Sequence, residues 1–291
     1  MNTVWSDFVQ GTDTLYLSRA LRFDDTFREQ YIRFLRLDVD AGFNALEVGC
    51  GPGALCAALK SWYPKANVTG LDRDSAFVAF AKENVPGVRF MEGDACRLPF
   101  EDASFDLTIS NTVSEHVEPG GFFGEQFRVL KSGGVCAVFS SRRGIHVEAD
   151  CLKDDEFERS FWSRAAEKDD SFEKYAVCRY PMNESQLPAA MEKYGFCQVE
   201  TDYAVVPLTP DDPRFSGSMA RRMIEAVYRE KKECLSSVPR TLPGLFTAEE
   251  LERMDKRLEE KFALRFEQLA KGEKQWDTSV SLIMMIRGVK P

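Results

Sequence analysis

Much that would narrow the field is missing from this chain. None of its eight cysteines forms a C-x-x-C pair, and its two histidines stand in no metal-ligand spacing. Neither a zinc framework nor a disulfide framework is therefore expected. No apolar run approaches the length needed to cross a bilayer, so no membrane association is expected. The lysines and arginines form no long block, and 47 acids outnumber 38 bases for a formal net charge of −9. A surface of that sign repels phosphate backbones, so nucleic acid is not an expected partner. The opening residues, Met1-Asn2-Thr3-Val4-Trp5-Ser6-Asp7, lack the basic and apolar pattern of a signal peptide. The expected location is the cytoplasm, with the thiols reduced. The chain has no internal repeat and no low-complexity segment.

What remains is ordinary globular material: 291 residues, 44% hydrophobic and 29% charged, enough for one large domain or two small ones. The organising stretch is Asn44-Ala45-Leu46-Glu47-Val48-Gly49-Cys50-Gly51-Pro52-Gly53-Ala54-Leu55. An apolar run enters a turn with three glycines in five residues, and a helical pattern leaves it. Glycine allows positive φ and close approach of the backbone to a ligand. The following helix aims free N–H groups and its positive dipole end at the same place. Such a turn holds a nucleotide-like ligand in a doubly wound α/β domain. The spacing Gly49-x-Gly51-x-x-Ala54 also satisfies the loose dinucleotide fingerprint, which keeps an NAD(P)-binding oxidoreductase open as an alternative.

Glu47, two residues before the first glycine, and Pro52 within the turn point elsewhere. The stretch resembles motif I of the class I S-adenosylmethionine-dependent methyltransferases, in which an acid precedes a GxGxG turn. Further landmarks of that family stand in order: the run Leu98-Pro99-Phe100-Glu101-Asp102-Ala103-Ser104-Phe105-Asp106, and the turn Leu130-Lys131-Ser132-Gly133-Gly134. The resemblance covers the first half of the chain from residue 40 to residue 140 and resumes at the last two strands. It implies a seven-stranded, mostly parallel α/β sheet, doubly wound, with the last strand antiparallel, helices on both faces and helical inserts. It implies S-adenosyl-L-methionine as cofactor, S-adenosyl-L-homocysteine as product, and a small-molecule acceptor, since no NPPY-like tetrapeptide follows the fourth strand.

Candidate site residues follow from the order of elements. Glu47, Gly49, Cys50, Gly51 and Gly53 form the cofactor turn. Asn67 to Asp72 reads as a strand ending in an acid about twenty residues past the glycines, which makes Asp72 the ribose clamp. Arg73 is expected at the adenine pocket. Asp74 reads as the N-cap of a helix from Ser75 to Glu83. In the resembling family an acid after the third strand accepts from the adenine amino group and the next N–H donates to the ring, roles that fall to Asp94 and Ala95, against a purely local turn role for Asp94. Asn111 and Thr112 close the fourth strand at its carboxyl end, where open α/β sheets bind ligands. N-terminal segments of the family fold over the cofactor, which makes Tyr16 and Arg19 candidates for its carboxylate, against surface packing. His116 is the candidate general base, against a structural role. No metal is expected.

The remaining chain divides as follows. Residues 1–40 form an N-terminal helical segment covering the site, with a helix over 26–37 and a loop or short helix around 15–23. Residues 41–140 form the cofactor-binding core. Residues 141–182 form an insert rich in charges and aromatics, including Phe157, Phe161, Trp162, Phe172, Tyr175 and Tyr180, expected to cover the substrate. Core resumes over 183–206, a helical insert spans 207–277, and the final strand lies in 278–291. In the helix opening at Thr247, Leu251, Met254, Leu258, Phe262, Phe266 and Leu269 make one stripe. It is expected to face the rest of the chain, or else a dimer seam, so monomer and homodimer both stay open. A methyltransferase-like protein that binds without catalysing is the other alternative reading.

Overall fold

Apolar runs bounded by turn residues become strands, and the periodic stretches between them become helices. The computed structural model describes residues 5–175 and 177–291, apart from the side chains of Ser171 and Phe172. The expectations for Met1 to Val4 and for the Phe172 ring lie outside the described residues. Three helices come first: α1 (Trp5–Phe8), α2 (Thr12–Arg22) and α3 (Arg28–Leu35). Strands and helices then alternate: β1 (Asn44–Val48), α4 (Ala54–Trp62), β2 (Asn67–Asp72), α5 (Ser75–Asn84), β3 (Arg89–Glu92), β4 (Phe105–Asn111), α6 (Pro119–Val129) and β5 (Leu130–Val147). After α7 (Glu156–Lys168) and α8 (Ser171–Lys174) come α9 (Gln186–Lys193), β6 (Cys197–Leu208), α10 (Gly217–Thr241), α11 (Ala248–Lys271) and β7 (Thr278–Val289).

The strands form one sheet in the order β3-β2-β1-β4-β5-β7-β6. β1 to β5 run parallel, and β7 is antiparallel to both of its neighbours. This is the doubly wound architecture the sequence predicts. The order reverses between β1 and β4, so a crevice opens at their carboxyl ends. Successive strand residues face opposite sides and seed two apolar layers. Ala45, Leu107, Ile109 and Ala137 pack with α2, α3 and α4, whereas Leu46, Val48, Cys136 and Val138 pack with α6 and α9.

Local chemistry places most of the boundaries. Asp74 caps α5, accepting from the N–H groups of Ala76 and Phe77. Thr247 and Glu250 form a capping box at the start of α11, and Gly272 closes it at φ +74. Of the loop or short helix expected around 15–23, the structure shows a regular helix over 12–22, with Thr14, Leu15 and Leu21 buried. One expectation needs correcting. β5 does not end with the expected core boundary at residue 140 but runs to Val147, so the first seven residues assigned to the insert belong to the sheet. Hairpin-like pairing of His146 with Ser279 and Val147 with Thr278 holds that extension. The ladder bulges between Arg142 and Ile145, and there a Cβ on Gly144 would lie 1.7 Å from the Val280 carbonyl oxygen. Only glycine fits such an approach.

The two inserts are one structural unit. Leu152 and Phe161 from the first pack with Ile224, Leu235, Met254, Leu258 and Phe262 from the second in a separate apolar core. The α11 stripe is thus consumed within the chain. At the edge of the sheet, α3 lies along β6, the outer strand. The Gln30 side chain accepts from the Val205 N–H at 2.9 Å and donates to its carbonyl at 3.2 Å.

Arg265 fastens the helical unit to the sheet. Its side chain is fully buried, with Asp277 at 2.6 Å and Asp211 at 2.9 Å, and Asp211 also accepts from the N–H groups of Gln275 and Trp276. Removing the cation strands two buried carboxylates, a loss of about 3–5 kcal/mol for a broken buried pair. Arg265→Met should therefore lower the unfolding free energy obtained from denaturant titration by that amount. A loss below about 1 kcal/mol, the range of exposed pairs, would show that water reaches the carboxylates.

Candidate functional site

The crevice at the β1/β4 switch holds a cavity of about 350 Å³, within the range of small-molecule sites. Its floor is the turn after β1. Gly49, Gly51 and Gly53 adopt φ of +73, +52 and +90. At Gly49 a Cβ would lie 2.4 Å from Val113 Cγ2, so the first glycine is required by space as well as by φ. The Leu71 carbonyl accepts from both the Gly49 and Cys50 N–H groups, at 2.8 and 3.0 Å, binding the turn to the end of β2. Gly53 caps α4 without a side-chain hydrogen bond, and Ala54 and Leu55 line the cavity, so the first-turn N–H groups of α4 remain available to a ligand.

Around this floor the structure gathers nearly all the sequence-predicted residues. Glu47, Gly49, Cys50, Gly51, Asp72, Arg73, Asp94, Ala95, Asn111, Thr112, His116 and Arg19 line the cavity. Asp72 Oδ2 accepts from the Gly51 N–H at 2.8 Å and Oδ1 from the Asp74 N–H at 2.9 Å. These bonds aim the carboxylate, and each oxygen keeps a lone pair for a hydroxyl. Burial raises the Asp72 pKa, and the two N–H bonds oppose the shift. Asp94 closes its own turn by accepting from the Cys96 N–H at 2.8 Å, and it lines the cavity as well, so the local role and a binding role coexist.

Tyr16 is different. Its ring packs against Phe80 of α5 with centroids 5.3 Å apart, outside the cavity. Leu15, Arg19 and Arg22 follow i, i+4, i+7 spacing and occupy the cavity face of α2. Tyr16 sits one residue, and so about 100°, round from that face. Arg19 donates from Nη2 to Thr112 Oγ1 at 3.0 Å. Thr112 has φ +55, which is unusual for a β-branched residue and costs of order 1–3 kcal/mol. Its N–H bond to the Phe139 carbonyl and its Oγ1 bond to the Asn111 carbonyl hold it there, at 2.8 and 2.7 Å. Asn111 is buried, and its Oδ1 has no partner.

His116 sits against Trp5, with ring centroids 4.7 Å apart, and its Nδ1 accepts from the Cys178 N–H at 2.9 Å. Burial, with Arg73 adding, lowers its pKa to about 4. The ring is neutral at pH 7 and carries its proton on Nε2, which makes it a donor there. The geometry thus gives His116 no free lone pair with which to act as a base.

Among the contributors that escaped the sequence reading are Trp5, Arg22, Glu115 and Ser141. Helical spacing from Leu15 would have found Arg22, and the neighbouring His116 would have pointed to Glu115. The signal for Trp5 is not local. Ser6 donates through N and Oγ to Asp74, and that tertiary contact brings α1 over the site. The 141–182 segment divides as well. Its 150–168 part packs on α11, whereas Cys178 and Tyr180 donate backbone N–H groups to His116 Nδ1 and the Glu115 carbonyl.

Glu47 is a strongly perturbed acid. It is 2% exposed, Oε2 has no partner, and burial pushes its pKa up to about 8, opposed by a Cys56 hydrogen bond and reinforced by Asp72. The unfolded chain loses this proton near the ordinary value of 4.5, and the folded chain keeps it to about 8. The unfolded state therefore binds fewer protons between those values, and stability falls as pH rises through the window. Glu47→Gln should raise the melting temperature relative to the wild type at pH 8 and leave the difference small at pH 4. An equal gain at both pH values would place the carboxyl in contact with water.

Comparison with known proteins agrees with this geometry. Residues 46–138 match the family model described as "Methyltransferase domain". The fatty-acid O-methyltransferase of Mycolicibacterium smegmatis is 40% identical over 97 residues, 32% of this chain and 35% of that protein. The phthiotriol/phenolphthiotriol dimycocerosates methyltransferase 1 of Mycobacterium ulcerans is 40% identical over 98 residues, 32% and 36% of the two chains. The matches thus span little more than a third of those relatives' length. Among solved structures, phosphoethanolamine N-methyltransferase 2 of Haemonchus contortus, in complex with S-adenosyl-L-methionine, has a TM-score of 0.55 at 20% identity. That likeness covers 100% of this chain and 60% of the other, and it is one of fold.

Proposed function

We propose that this chain, a member of the class I S-adenosylmethionine-dependent methyltransferases by its fold and by the match over residues 46–138, transfers a methyl group from S-adenosyl-L-methionine to a small-molecule acceptor. The observation that carries the reading is one cavity at the switch point that assembles the glycine turn, Asp72, the Asp94-Ala95 corner and Arg19. The cradle fits the cofactor. A Cβ at Gly49 would clash, and the unpartnered Glu47 Oε2 and Asn111 Oδ1 offer buried acceptors to a cationic ligand carrying an ammonium.

Each residue then has a task. Asp72 accepts from the ribose hydroxyls with the lone pairs its backbone donors leave free. Asp94 and the Ala95 N–H read the adenine edge, and Arg73 borders that pocket. Arg19, already aimed by Thr112, takes the carboxylate, and Asn111 and Glu47 accept from the amino group. Tyr16 contributes by packing α2 onto α5. When bound, the cofactor supplies a methyl carbon made electrophilic by its sulfonium. The protein's share is then to hold a nucleophile in line and exclude water, which can contribute ~7–11 kcal/mol. His116 orients, donating through Nε2, rather than abstracting a proton. α1, α2 and the return of the first insert at 177–180 cover the site.

A small-molecule acceptor accords with the names of the curated relatives and with the net charge of −9, which disfavours nucleic acid. All eight cysteines are free, which supports a reducing, cytoplasmic setting. No described helix is long and apolar enough to cross a membrane. The burial of the α11 stripe leaves monomer favoured over homodimer.

Calorimetry should give one S-adenosylhomocysteine site per chain and much weaker binding of NADH. Asp72→Ala should lower that affinity at least tenfold, since hydrogen bonds to charged groups contribute about 1.5–3 kcal/mol each. Comparable affinity for NADH would overturn the cofactor, and wild-type affinity in Asp72→Ala would remove the ribose clamp. Hydrogen exchange should slow at 5–22 and 177–180 on binding and change little at 156–168, where the chain is packed on α11. Equal protection with and without ligand at the first two segments would detach them from the site.

A further inference from the structure

A second cavity of about 110 Å³ is bounded by α2, the outer part of β5 and β7, and α10. Leu21, Leu208, Met223, Ile224 and Val227 give it an apolar wall. Two of its acids already have cations: Glu148 pairs with Lys231 at 2.7 Å, and Asp277 with Arg265 at 2.6 Å. Of the described residues that line the two cavities, Arg22 alone lines both.

The Arg22 guanidinium is poorly compensated for where it sits. Nη1 donates to Ser141 Oγ at 2.9 Å, and among the described residues it makes no ion pair. Glu230, the carboxylate whose field acts on it, is exposed and stays beyond ion-pair distance. Burial works against the charge. A desolvated cation facing a single hydroxyl is a costly arrangement unless an anion completes it. Arginine presents a planar fork that matches a carboxylate or phosphate. Arg19, three residues earlier on the same face, is held by Thr112, whereas Arg22 is held by Ser141.

We propose that Arg22 binds the anionic head of the methyl acceptor, a carboxylate or phosphate borne on a short apolar body that enters the second cavity. This rests on the methyltransferase reading above and names the substrate class for it. A neutral acceptor would leave the guanidinium dry and unpaired, and a cationic one would be repelled. The apolar wall behind Arg22 favours a chain or ring over a second polar group. The head then lies between the two cavities, beside Ser141 at the carboxyl side of the sheet.

The test is calorimetry on the full chain, with and without S-adenosylhomocysteine, using hexanoate, hexyl phosphate and hexanol as probes. At least one of the two anions should bind tenfold or more tightly than hexanol, and the stronger one identifies the head group. With S-adenosylhomocysteine saturating, Arg22→Gln should erase that preference, and Arg22→Lys should keep part of it. Ala226→Leu, which fills the second cavity from α10, should weaken the preferred hexyl probe and spare acetate and inorganic phosphate. Hexanol binding as tightly as both anions, or anion binding unchanged in Arg22→Gln, overturns the proposal. Should Arg22→Gln fail to fold, the chain-length response of Ala226→Leu decides, and no response overturns it. Failure of S-adenosylhomocysteine to bind the wild type is a separate result: it removes the methyltransferase reading and, with it, the acceptor role.

Discussion

The Leu71 carbonyl takes two hydrogen bonds, from the N–H groups of Gly49 and Cys50, and one residue later the Asp72 carboxylate takes the Gly51 N–H. Three consecutive donors of the turn are thereby bound to the last two residues of β2. The turn cannot keep left-handed backbone at three glycines without such partners, and Asp72 cannot point into the crevice without the turn. Every other wall of the cavity is placed relative to that joint. Val113 sits against Gly49, α4 begins where the turn ends, and α2 lays Leu15 over Gly51.

The same joint creates an electrostatic problem that suits a cationic ligand. Glu47, buried, and Asp72, half-buried, sit at the carboxyl ends of neighbouring strands, and desolvation raises the pKa of each. Water alone solvates neither well. Asp72 is held by two backbone donors, whereas Glu47 keeps one oxygen unmatched. A ligand bearing positive charge relieves both, which gives the site a preference of sign before any contact with adenine or ribose is counted.

Much of this was legible in the sequence because it depends on local chemistry. Glycines at 49, 51 and 53, an acid closing β2 and Gly93-Asp94 after β3 are short-range signals, and the sheet carries them to one edge. Asp74 and Thr247 announce helix starts by the same logic. What could not be read depends on distant partners. Trp5 reaches the site because Ser6 finds Asp74, 68 positions away. β5 extends to Val147 because β7, from the other end of the chain, pairs with it. Tyr16 was chosen by residue type and Arg22 was passed over, when the face of α2 was what mattered. The two inserts were read as separate units, although their apolar residues meet in one core that no single stretch of sequence displays.

Gln30 on the far flank has a consequence for solubility. An outermost strand presents a row of free amide groups to which another chain can add its own strand. At Val205 the carboxamide of Gln30 supplies the donor and the acceptor that an incoming backbone would have offered. The ion pairs of Arg33 with Asp202 and Arg36 with Glu200, at 3.8 and 2.6 Å, lay charged side chains along the same margin. α3 therefore works as a selvedge, finishing the sheet so that it does not fray into polymers.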